Sequence, residues 1–450
     1  MTEALSSIKY IVFFLVMLVG VPLGYSFALK YDKVERAIFF LMVFFTAKME
    51  DINFVSRETE RITSKGFEIG MVDICTMIIF LVVLHKNGAK NSMPRGAVWY
   101  FVYFGLSIVS IVNADFFLYS MFEVWTMTKM FFYFWTIYNY VDTEKKYFDF
   151  LKGVAAITIY VFYEVIKQKY FDGKFQTAGP FPHQNSLVMY MIIFGTISFS
   201  YLVNKVDLSV DKLIVWIMIF GMASVSVISS LSRAGLALYG FAIVIVLGLS
   251  LMNGLQIKKI AITIFLVIMS LAVVARAWNS ISERFRTAPE ESALVRVALA
   301  QAAVKMANDE KLHYMGVGLN NFGKAINPPY PYSSHIEMND EEDEDEKNGL
   351  VETIYLMIAA ESGWHTLVFF FIFLFYYYFL NLVNVFRYRG QDLQFLAIGL
   401  VGGLLAIYIE SGLEWVLKQT NNFYQLMLIF ALIAGMDKLH KLKQERREIR

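Results

Sequence analysis

The sequence has few charged residues, one cysteine and almost no net charge, and each shortage excludes a class of protein. Cys75 is the only cysteine, which excludes an intramolecular disulfide framework and a multi-cysteine metal site. Charged residues make up 18% of the 450, too few for an ordinary soluble globular chain. The 40 Lys and Arg against 39 Asp and Glu leave a formal net charge of +1, so no overall charge directs the chain toward nucleic acid. Any electrostatic function must therefore be local.

Apolar residues are what the chain has in abundance. They make up 57% of it, and the mean hydropathy is +0.51. A membrane-spanning helix needs about 20 mostly apolar residues. Runs of this kind predict an all-α polytopic membrane protein of twelve or thirteen transmembrane helices, at about 8–30, 37–54, 67–85, 97–113, 120–141, 148–166, 185–203, 212–230, 234–252, 259–278, 364–386, 394–411 and 422–436. The second run is the weakest, because Lys48, Glu50 and Asp51 interrupt it.

The positive charges of the short loops predict an orientation. Lys and Arg favour the cytoplasmic side, and they mark the loops around 86–95, 145–146, 258–259 and 387–389 and the tail after Met436. The opposite side then carries the segment 173–184, the turn Ser229–Arg233 and one long hydrophilic stretch. We expect four parts: ten transmembrane helices over 1–278, an extracytoplasmic loop over 279–363, the last three transmembrane helices over 364–436 and a basic cytoplasmic tail over 437–450.

The long outer loop has structure of its own. Apolar residues at intervals of three and four predict an amphipathic helix over Glu291–Asp309, which Gly316 and the Pro328-Pro329 pair then end. The acidic run Glu337–Glu346 is interpreted as a solvated loop, with cation capture as the alternative. A second amphipathic helix is expected over Val351–Ser362. Two helices on either side of a flexible acidic segment would form a lid over the outer mouth of the bundle.

Three cationic residues are candidates for a functional role, because they lie inside a predicted transmembrane helix or at the outer surface. Arg233 follows Ser230-Leu231-Ser232 at a tight outer turn, where its guanidinium could present a planar fork to a phosphate. Arg296 projects from the first amphipathic helix. Lys129 lies inside a predicted transmembrane helix, where a charge indicates function by default. An arginine that reaches to lipid headgroups is the structural alternative for Arg233. For Lys129 the alternative is a simple ion pair with a nearby carboxylate: Asp73, Glu123 or Asp115.

Four further polar residues are candidates for the outer mouth. His183 and Asn185 follow a constrained Gly-Pro-Phe-Pro turn, where contact with substrate competes with helix capping by Asn185 or Ser186. Glu352 and Glu361 are the carboxylates nearest the proposed mouth, and either could act as a general base. The structural alternatives are a first-turn carboxylate for Glu352 and a helix-end charge for Glu361.

These pieces, in this order, resemble the O-antigen ligase and Wzy-type polysaccharide polymerase family. The resemblance depends on four stretches together, and none is specific alone: Ala178-Gly179-Pro180-Phe181-Pro182-His183-Gln184-Asn185, Ser230-Leu231-Ser232-Arg233-Ala234-Gly235, Arg296 followed by Gly316-Val317-Gly318-Leu319-Asn320-Asn321-Phe322, and Glu352-Thr353-Ile354-Tyr355-Leu356 running to Ala360-Glu361-Ser362-Gly363. It covers the chain from about residue 170 onward. Before that residue it depends on hydropathy.

The resemblance implies a membrane glycosyltransferase of the GT-C type that needs no nucleotide sugar, bound metal or other cofactor. Its donor would be a glycan linked by pyrophosphate to undecaprenol. By the family pattern, Arg233 and Arg296 would hold the diphosphate, and Lys129 is a weaker candidate for the same role. His183, Asn185 and Glu361 complete the expected substrate-binding set.

The sequence departs from the ligase pattern at one position. Ligases of this family carry a His-Asn pair whose His lies eleven positions before the Gly, and the count back from Gly363 reaches Glu352, followed by Thr353. We therefore expect Glu352 to act as the base, and His335 is the alternative. The substitution favours a polymerase over a ligase.

Three functions follow as competing predictions. In the first, the enzyme polymerises lipid-linked repeat units of a surface polysaccharide, with another repeat unit as acceptor. In the second, it is a ligase whose acceptor is a lipid A core or another anchor. A flippase or transporter of lipid-linked oligosaccharides is the third, but it would place polar residues through the depth of the bundle. All three place the chain in the bilayer of a bacterial cytoplasmic membrane, and the two enzymes face the extracytoplasmic side. A chain-length regulator is a further expected partner, and nucleic acid is not.

Overall fold

The protein is a bundle of long helices in the computed structural model, which describes residues 2–205, 207–252, 254, 257–286, 291–333 and 349–448. This confirms the predicted all-α polytopic membrane fold. The helices are α1 Thr2–Leu15, α2 Val21–Lys30, α3 Asp32–Phe44, α4 Met71–Asn87, α5 Ala97–Val109, α6 Phe117–Tyr140, α7 Glu144–Ile166, α8 Gln184–Asn204, α9 Val210–Ser230, α10 Arg233–Met252, α11 Ile257–Arg286, α12 Glu291–Ala307, α13 Phe322–Ala325, α14 Ile354–Arg387, α15 Gln394–Glu410 and α16 Thr420–Glu448.

Within the described residues, six helices are long and apolar enough to cross a membrane, and a bent pair over 259–284 would make seven. The six spans are Lys9–Lys30, Met71–Lys90, Gln184–Asn204, Val210–Ser230, Arg233–Met252 and Ile354–Arg387. Helix α8 is the central one, because its apolar residues are buried on all sides against α9, α10 and α15. The other long helices are shorter or more polar than this criterion requires. The total of twelve or thirteen crossings stays a prediction.

Three of the four loops predicted to share the cytoplasmic side, around 86–95, 145–146 and 387–389, lie with the last helix at one end of the bundle. Lys86 and Lys146 both pair with the buried carboxylate of Glu35. At the same end, Arg95 and Arg387 pair with Asp437 in the last helix. Charges from sequence-distant loops therefore neutralise one another at this end, opposite the end that holds the outer loop.

The predicted second helix, 37–54, is wrong in its C-terminal half. Helix α3 ends at Phe44, and the chain then forms a two-stranded antiparallel hairpin, β1 Asp51–Ser56 and β2 Gly66–Gly70. The polar stretch 56–65 connects the strands, which explains why the apolar run cannot continue as a helix. The hydroxyl of Tyr10 donates to the carbonyl oxygen of Asn53 at 3.2 Å. The beginning of the first span therefore lies beside this hairpin.

The outer loop contains a helix, now α12, where the first amphipathic helix was predicted. The predicted apolar face is wrong in its first turns, because Leu294 and Val297 are exposed, whereas Ala302 and Met306 are buried. The second amphipathic helix starts later than expected, at Ile354, and continues through a kink at Gly363 to Arg387. Gly363 has φ of +85°, and a Cβ there would lie 2.3 Å from the carbonyl oxygen of Tyr314, so a larger residue does not fit. The amides of Val317 and Gly318 donate to the carbonyl oxygens of Ala360 and Glu361 at 2.9 and 3.0 Å. The loop is thereby fixed against the kink.

Asn320 joins three parts of the outer end. Its side-chain oxygen accepts from the amide of Thr63 at 2.9 Å, and its side-chain nitrogen donates to the carbonyl oxygens of Ser64 and Tyr119 at 2.9 and 2.8 Å. The hairpin connection, α6 and the outer loop are thus held in one arrangement. The acidic run Glu337–Glu346 lies outside the described residues.

Candidate functional site

A cavity of about 800 Å³ opens at the end of the bundle that carries the hairpin and the outer loop. Most of its wall comes from four segments: the hairpin with its connection, the turn before α8, the residues just before α14, and the link between α15 and α16; α6 and the start of α16 complete it. Its polar lining includes Glu68, His183, Glu352 and Glu414. A cavity of this size can hold one or more sugar rings beside a diphosphate.

Arg296 from α12 contacts two carboxylates of the cavity wall, and we call Arg296, Glu352 and Glu414 the open charge cluster. A terminal guanidinium nitrogen of Arg296 lies 2.5 Å from Glu352 Oε2 and 3.5 Å from Glu414 Oε1. Glu352 Oε2 nevertheless has no hydrogen bond within the described residues. The contact is therefore an ion pair in which the N–H groups of Arg296 do not point at this oxygen. The Arg296 side chain is 46% exposed. Its charge can therefore still reach a ligand that enters from outside.

His183 and Asn185 reach the site as a pair, but their capping roles differ from the prediction. The predicted capping by Asn185 or Ser186 is wrong, because α8 begins at Gln184 and His183 is its N-cap. The amide of Asn185 donates to His183 Nδ1 at 3.2 Å. Burial in the cavity wall, helped by the charge of Arg296, lowers the pKa of His183. The side chain of Asn185 is then free to donate to Glu414 Oε1 at 2.5 Å.

Two carboxyls of the cavity wall have a raised pKa. Burial, helped by the negative charge of Glu352, raises the pKa of Glu414 to about 7, although the hydrogen bond from Asn185 and the charge of Arg296 oppose it. Burial also raises the pKa of Glu68 on β2 to about 7. Groups with such pKa values can exchange protons near neutral pH, which is what acid–base catalysis requires.

Glu361 belongs to a second set of charges, which we call the buried charge cluster: Lys418, Glu123 and Glu361. Lys418 Nζ lies 2.7 Å from Glu361 Oε2 and 3.5 Å from Glu123 Oε1, and all three side chains are at most 4% exposed. Burial alone would lower the pKa of Lys418, but the two carboxylates outweigh it and raise that pKa. Glu361 does not line the cavity. Its substrate-binding role stays a prediction, and its contacts favour a structural one.

Glu352 also differs from its predicted setting. It lies two residues before α14, whose N-cap is Thr353, so the alternative role as a first-turn carboxylate is wrong. Its side chain points instead to Arg296. His335, the alternative base, lies outside the described residues.

The other two predicted cations are placed differently from Arg296. Lys129 is 6% exposed and pairs with Asp73 at 3.6 Å, and its Nζ donates to the carbonyl oxygen of Glu68 at 3.2 Å. These contacts agree with the simple ion pair that the sequence left open. Arg233 opens α10 after Leu231 in the left-handed region, is exposed, and has no ion pair within the part of the chain that the structure describes. Neither residue lines the cavity.

Three features of the site were absent from the sequence-based predictions: the hairpin wall, Glu414 and Lys418. Glu414 and Lys418 both lie between the last two helices, where charged loop residues are ordinary. A signal was available, since the stretch Glu410–Lys418 places three charged residues directly beside two apolar runs. Their partners, however, come from segments more than 50 residues away.

Residues 213–371 match the family model described as O-antigen ligase. The chain carries an O-antigen ligase family domain. The match confirms the resemblance stated above, and with it a glycosyltransferase-like enzyme of the ligase or polymerase type in a multi-pass membrane protein. A search of curated proteins found none that matches the chain.

The O-antigen ligase match covers only part of the site. Arg233, Arg296 and Glu352 lie inside the matched segment, whereas His183, Asn185, Glu414 and the hairpin lie outside it. Among the described residues, no group of three or more His, Cys, Asp or Glu side chains is placed to hold a metal ion.

Proposed function

We propose that this protein polymerises oligosaccharide repeat units carried on undecaprenyl diphosphate, at the extracytoplasmic face of a bacterial cytoplasmic membrane. The observation that supports this most is the open charge cluster, whose two carboxylates line a cavity of about 800 Å³ at the end of the bundle opposite the basic loops. A cation beside carboxylates provides the two functions that glycosyl transfer from a diphosphate needs. The cation stabilises the leaving group, and a carboxylate accepts the proton of the attacking hydroxyl.

The chemistry would be a single displacement. The acceptor hydroxyl oxygen attacks the anomeric carbon of the donor sugar and forms the new glycosidic bond. The bond from that carbon to the phosphate oxygen breaks, and its electron pair leaves with undecaprenyl diphosphate. The hydroxyl proton passes to a carboxylate of the enzyme, for which the sequence favours Glu352. The expected product has inverted configuration at the anomeric carbon.

The diphosphate site would use Arg296 and Arg233. Arg296 is half exposed and already contacts carboxylates, so a diphosphate would replace one set of anionic oxygens by another. Arg233 is exposed at the turn between two membrane-length helices, close to where lipid phosphates lie, and no described carboxylate neutralises it. We do not assign the diphosphate to Lys129, because Asp73 already partners it.

The polymerase is favoured over the ligase because an acid replaces the histidine of the ligase pattern at Glu352. In a ligase the same cavity would accept a lipid A core or another anchor. A transporter would need ionisable groups along a path through the bundle. The described charges instead collect at the two ends and in the buried charge cluster.

The test is a reconstituted reaction with the full-length protein in lipid vesicles and lipid-linked repeat units as the sole substrate. A ladder of products, with release of undecaprenyl diphosphate, would support the polymerase. No product until lipid A core is added would establish the ligase instead. Movement of the lipid-linked unit across the bilayer without bond formation would exclude both enzymes.

A further inference from the structure

Five carboxylates line the cavity, and their partners show which of them could act as the base. Glu60 pairs with Lys324 at 2.6 Å, Asp51 is exposed on the hairpin, and Glu68 lies on β2 beside Lys129. Glu352 and Glu414 are the two of these that form ion pairs with Arg296, the cation expected at the leaving group. The base must lie on the acceptor side of the reacting carbon and within reach of that cation's site. The choice is therefore between Glu352 and Glu414.

We propose that Glu414 is the residue that accepts the proton of the acceptor hydroxyl, and that Glu352 is a positioning residue for Arg296. This inference depends on the proposed glycosyl transfer and identifies the base within it. Nothing in the family match assigns a role to Glu414, which lies beyond the matched segment.

The contacts of Glu414 suit a base better than those of Glu352. Asn185 donates to Glu414 Oε1 at 2.5 Å and fixes the carboxylate, while Oε2 has no hydrogen bond or ion pair within the described residues. One oxygen is thus anchored and the other remains available for a proton. Glu352 instead has its Oε2 at 2.5 Å from the guanidinium, the closer of the two contacts of Arg296, so that oxygen already faces the cation.

The surroundings of Glu414 also set its proton affinity. Four side chains from different elements act on it: Arg296 of α12, Glu352 before α14, Asn185 in the first turn of α8, and Glu410 at the end of α15. His183, before Asn185, lines the same cavity. The Glu414 side chain is 12% exposed, against 34% for Glu352. Burial therefore favours a Glu414 that takes up a proton near neutral pH and returns it to water after each transfer.

Each member of the open charge cluster then has its own role in the reaction. Before the donor binds, Glu352 holds Arg296 at the rim of the cavity. When the diphosphate arrives, Arg296 binds it, and Glu414 remains anchored by Asn185 with its free oxygen toward the acceptor. The acceptor O–H bond breaks as the new C–O bond forms, the proton moves to Glu414 Oε2, and the phosphate oxygen leaves with the bonding electrons.

Azide provides a test, because it attacks a sugar carbon without losing a proton. The full-length protein in vesicles would receive lipid-linked repeat units, with and without sodium azide, and release of undecaprenyl diphosphate would be measured. The variants are Glu414→Ala, Glu352→Ala and, as a matched cavity carboxylate, Glu68→Ala. We expect Glu414→Ala to lose transfer about 100-fold or more. Azide should restore donor cleavage in this variant alone and give an inverted glycosyl azide.

Several outcomes would overturn the assignment. Transfer within a few fold of wild type in Glu414→Ala, or azide rescue of Glu352→Ala instead, would make Glu352 the base. An inactive Glu414→Ala that azide does not rescue would show that Glu414 acts in folding or in donor binding, and not as the base. Thermal unfolding of Glu414→Gln, which keeps the shape of the side chain and the contact with Asn185, then separates these two roles. A midpoint like that of wild type would indicate donor binding, and a lowered midpoint would indicate folding. A wild-type protein that releases no undecaprenyl diphosphate with any acceptor would refute the proposed function itself, independently of the variants.

Discussion

The two charge clusters of the outer end each combine one cation with two carboxylates, and they differ in how completely these charges are paired. In the buried charge cluster, Lys418 lies between two carboxylates, and Ser64 donates to Glu123 Oε2 at 2.5 Å. In the open charge cluster, one guanidinium is shared unequally by two carboxylates on the wall of a large cavity. The first set has no capacity left for a ligand. The second retains a half-exposed cation and a free carboxylate oxygen.

How completely a charged side chain is paired therefore distinguishes a structural role from a functional one, even between residues of the same type. In the sequence, Glu352 and Glu361 were the two carboxylates nearest the expected mouth, at opposite ends of the last outer helix. Their partners distinguish them, because Glu361 pairs with the buried Lys418 and Glu352 faces the cavity. Variants of each cluster test this distinction.

The strongest test of the buried charge cluster is Lys418→Met. The change leaves two carboxylates buried without their cation, which should cost about 3–5 kcal/mol of folding free energy. The midpoint of thermal unfolding of the purified protein should fall accordingly. The matched control is Lys441→Met, because Lys441 is 52% exposed in its pair with Asp437 and its loss should cost under about 1 kcal/mol.

A compensated variant sharpens the same test. Lys418→Met combined with Glu123→Gln and Glu361→Gln removes all three charges together, so much of the lost stability should return. If the combined variant is as unstable as Lys418→Met alone, the cluster stabilises the fold through something other than charge pairing. If Lys418→Met unfolds like wild type, the cluster is not structural.

The strongest test of the open charge cluster is Arg296→Ala. Removal of one cation from the diphosphate should lower turnover about 100-fold to 1,000-fold, the size seen when a transition-state donor is removed. Thermal unfolding should change little, because the Arg296 side chain is 46% exposed and its closer partner, Glu352, is 34% exposed. The measurement is the initial rate of undecaprenyl diphosphate release together with the unfolding midpoint.

Arg233→Ala is the matched comparison for Arg296→Ala. Both arginines are expected at the diphosphate, but only Arg296 has ion-pair partners within the described residues. A similar loss of turnover in both variants would support a shared diphosphate site. Wild-type turnover in Arg233→Ala would assign that arginine to lipid headgroups and leave Arg296 as the phosphate ligand.

Much of the fold was predictable because it is local. The position of α12, the turn between α9 and α10 and the apolar runs of the six membrane-length helices are each determined within a short stretch of sequence. The hairpin was missed because Ile52, Phe54 and Val55 extend the apolar run of α3, and only the polar stretch after Ser56 marks the turn. Strand pairing depends on residues 10–20 positions apart, which helix periodicity does not reveal.

The candidate site was less predictable, because the role of each side chain depends on partners that are distant in the sequence. Arg296 and Glu352 were identified by a family pattern, yet their mutual contact was not. Glu414 resembles any loop carboxylate until Asn185, 229 positions earlier, is seen to anchor it. Lys418 is likewise unremarkable until Glu361, 57 positions earlier, is seen beside it. The sequence is sufficient to identify candidate residues, but only the fold distinguishes charged side chains that are fully paired from those that are not.

The pH dependence of transfer gives a smaller and more specific effect. If Glu414 must be ionised to accept a proton, its pKa of about 7 predicts that kcat/KM falls about tenfold per pH unit as the pH drops below about 7. Glu352→Gln removes a negative charge that helps to raise this pKa, so the midpoint should move to lower pH. Glu68→Gln should leave the midpoint unchanged, although Glu68 also has a pKa of about 7. A profile that responds to Glu68→Gln and not to Glu352→Gln would place the titrating group on the hairpin.

The smallest effect is expected at His183, which lies on the cavity wall at the start of α8. Its ring caps α8 by accepting from the amide of Asn185, so His183→Ala should cost about 1 kcal/mol of stability. Asn is also a good N-cap, and His183→Asn should therefore restore most of that loss. If turnover follows stability in the two variants, His183 supports the site only by holding α8 and Asn185 in place. If His183→Asn is as stable as wild type but turnover falls more than tenfold, the imidazole contacts the substrate directly, and the open charge cluster has a fourth functional member.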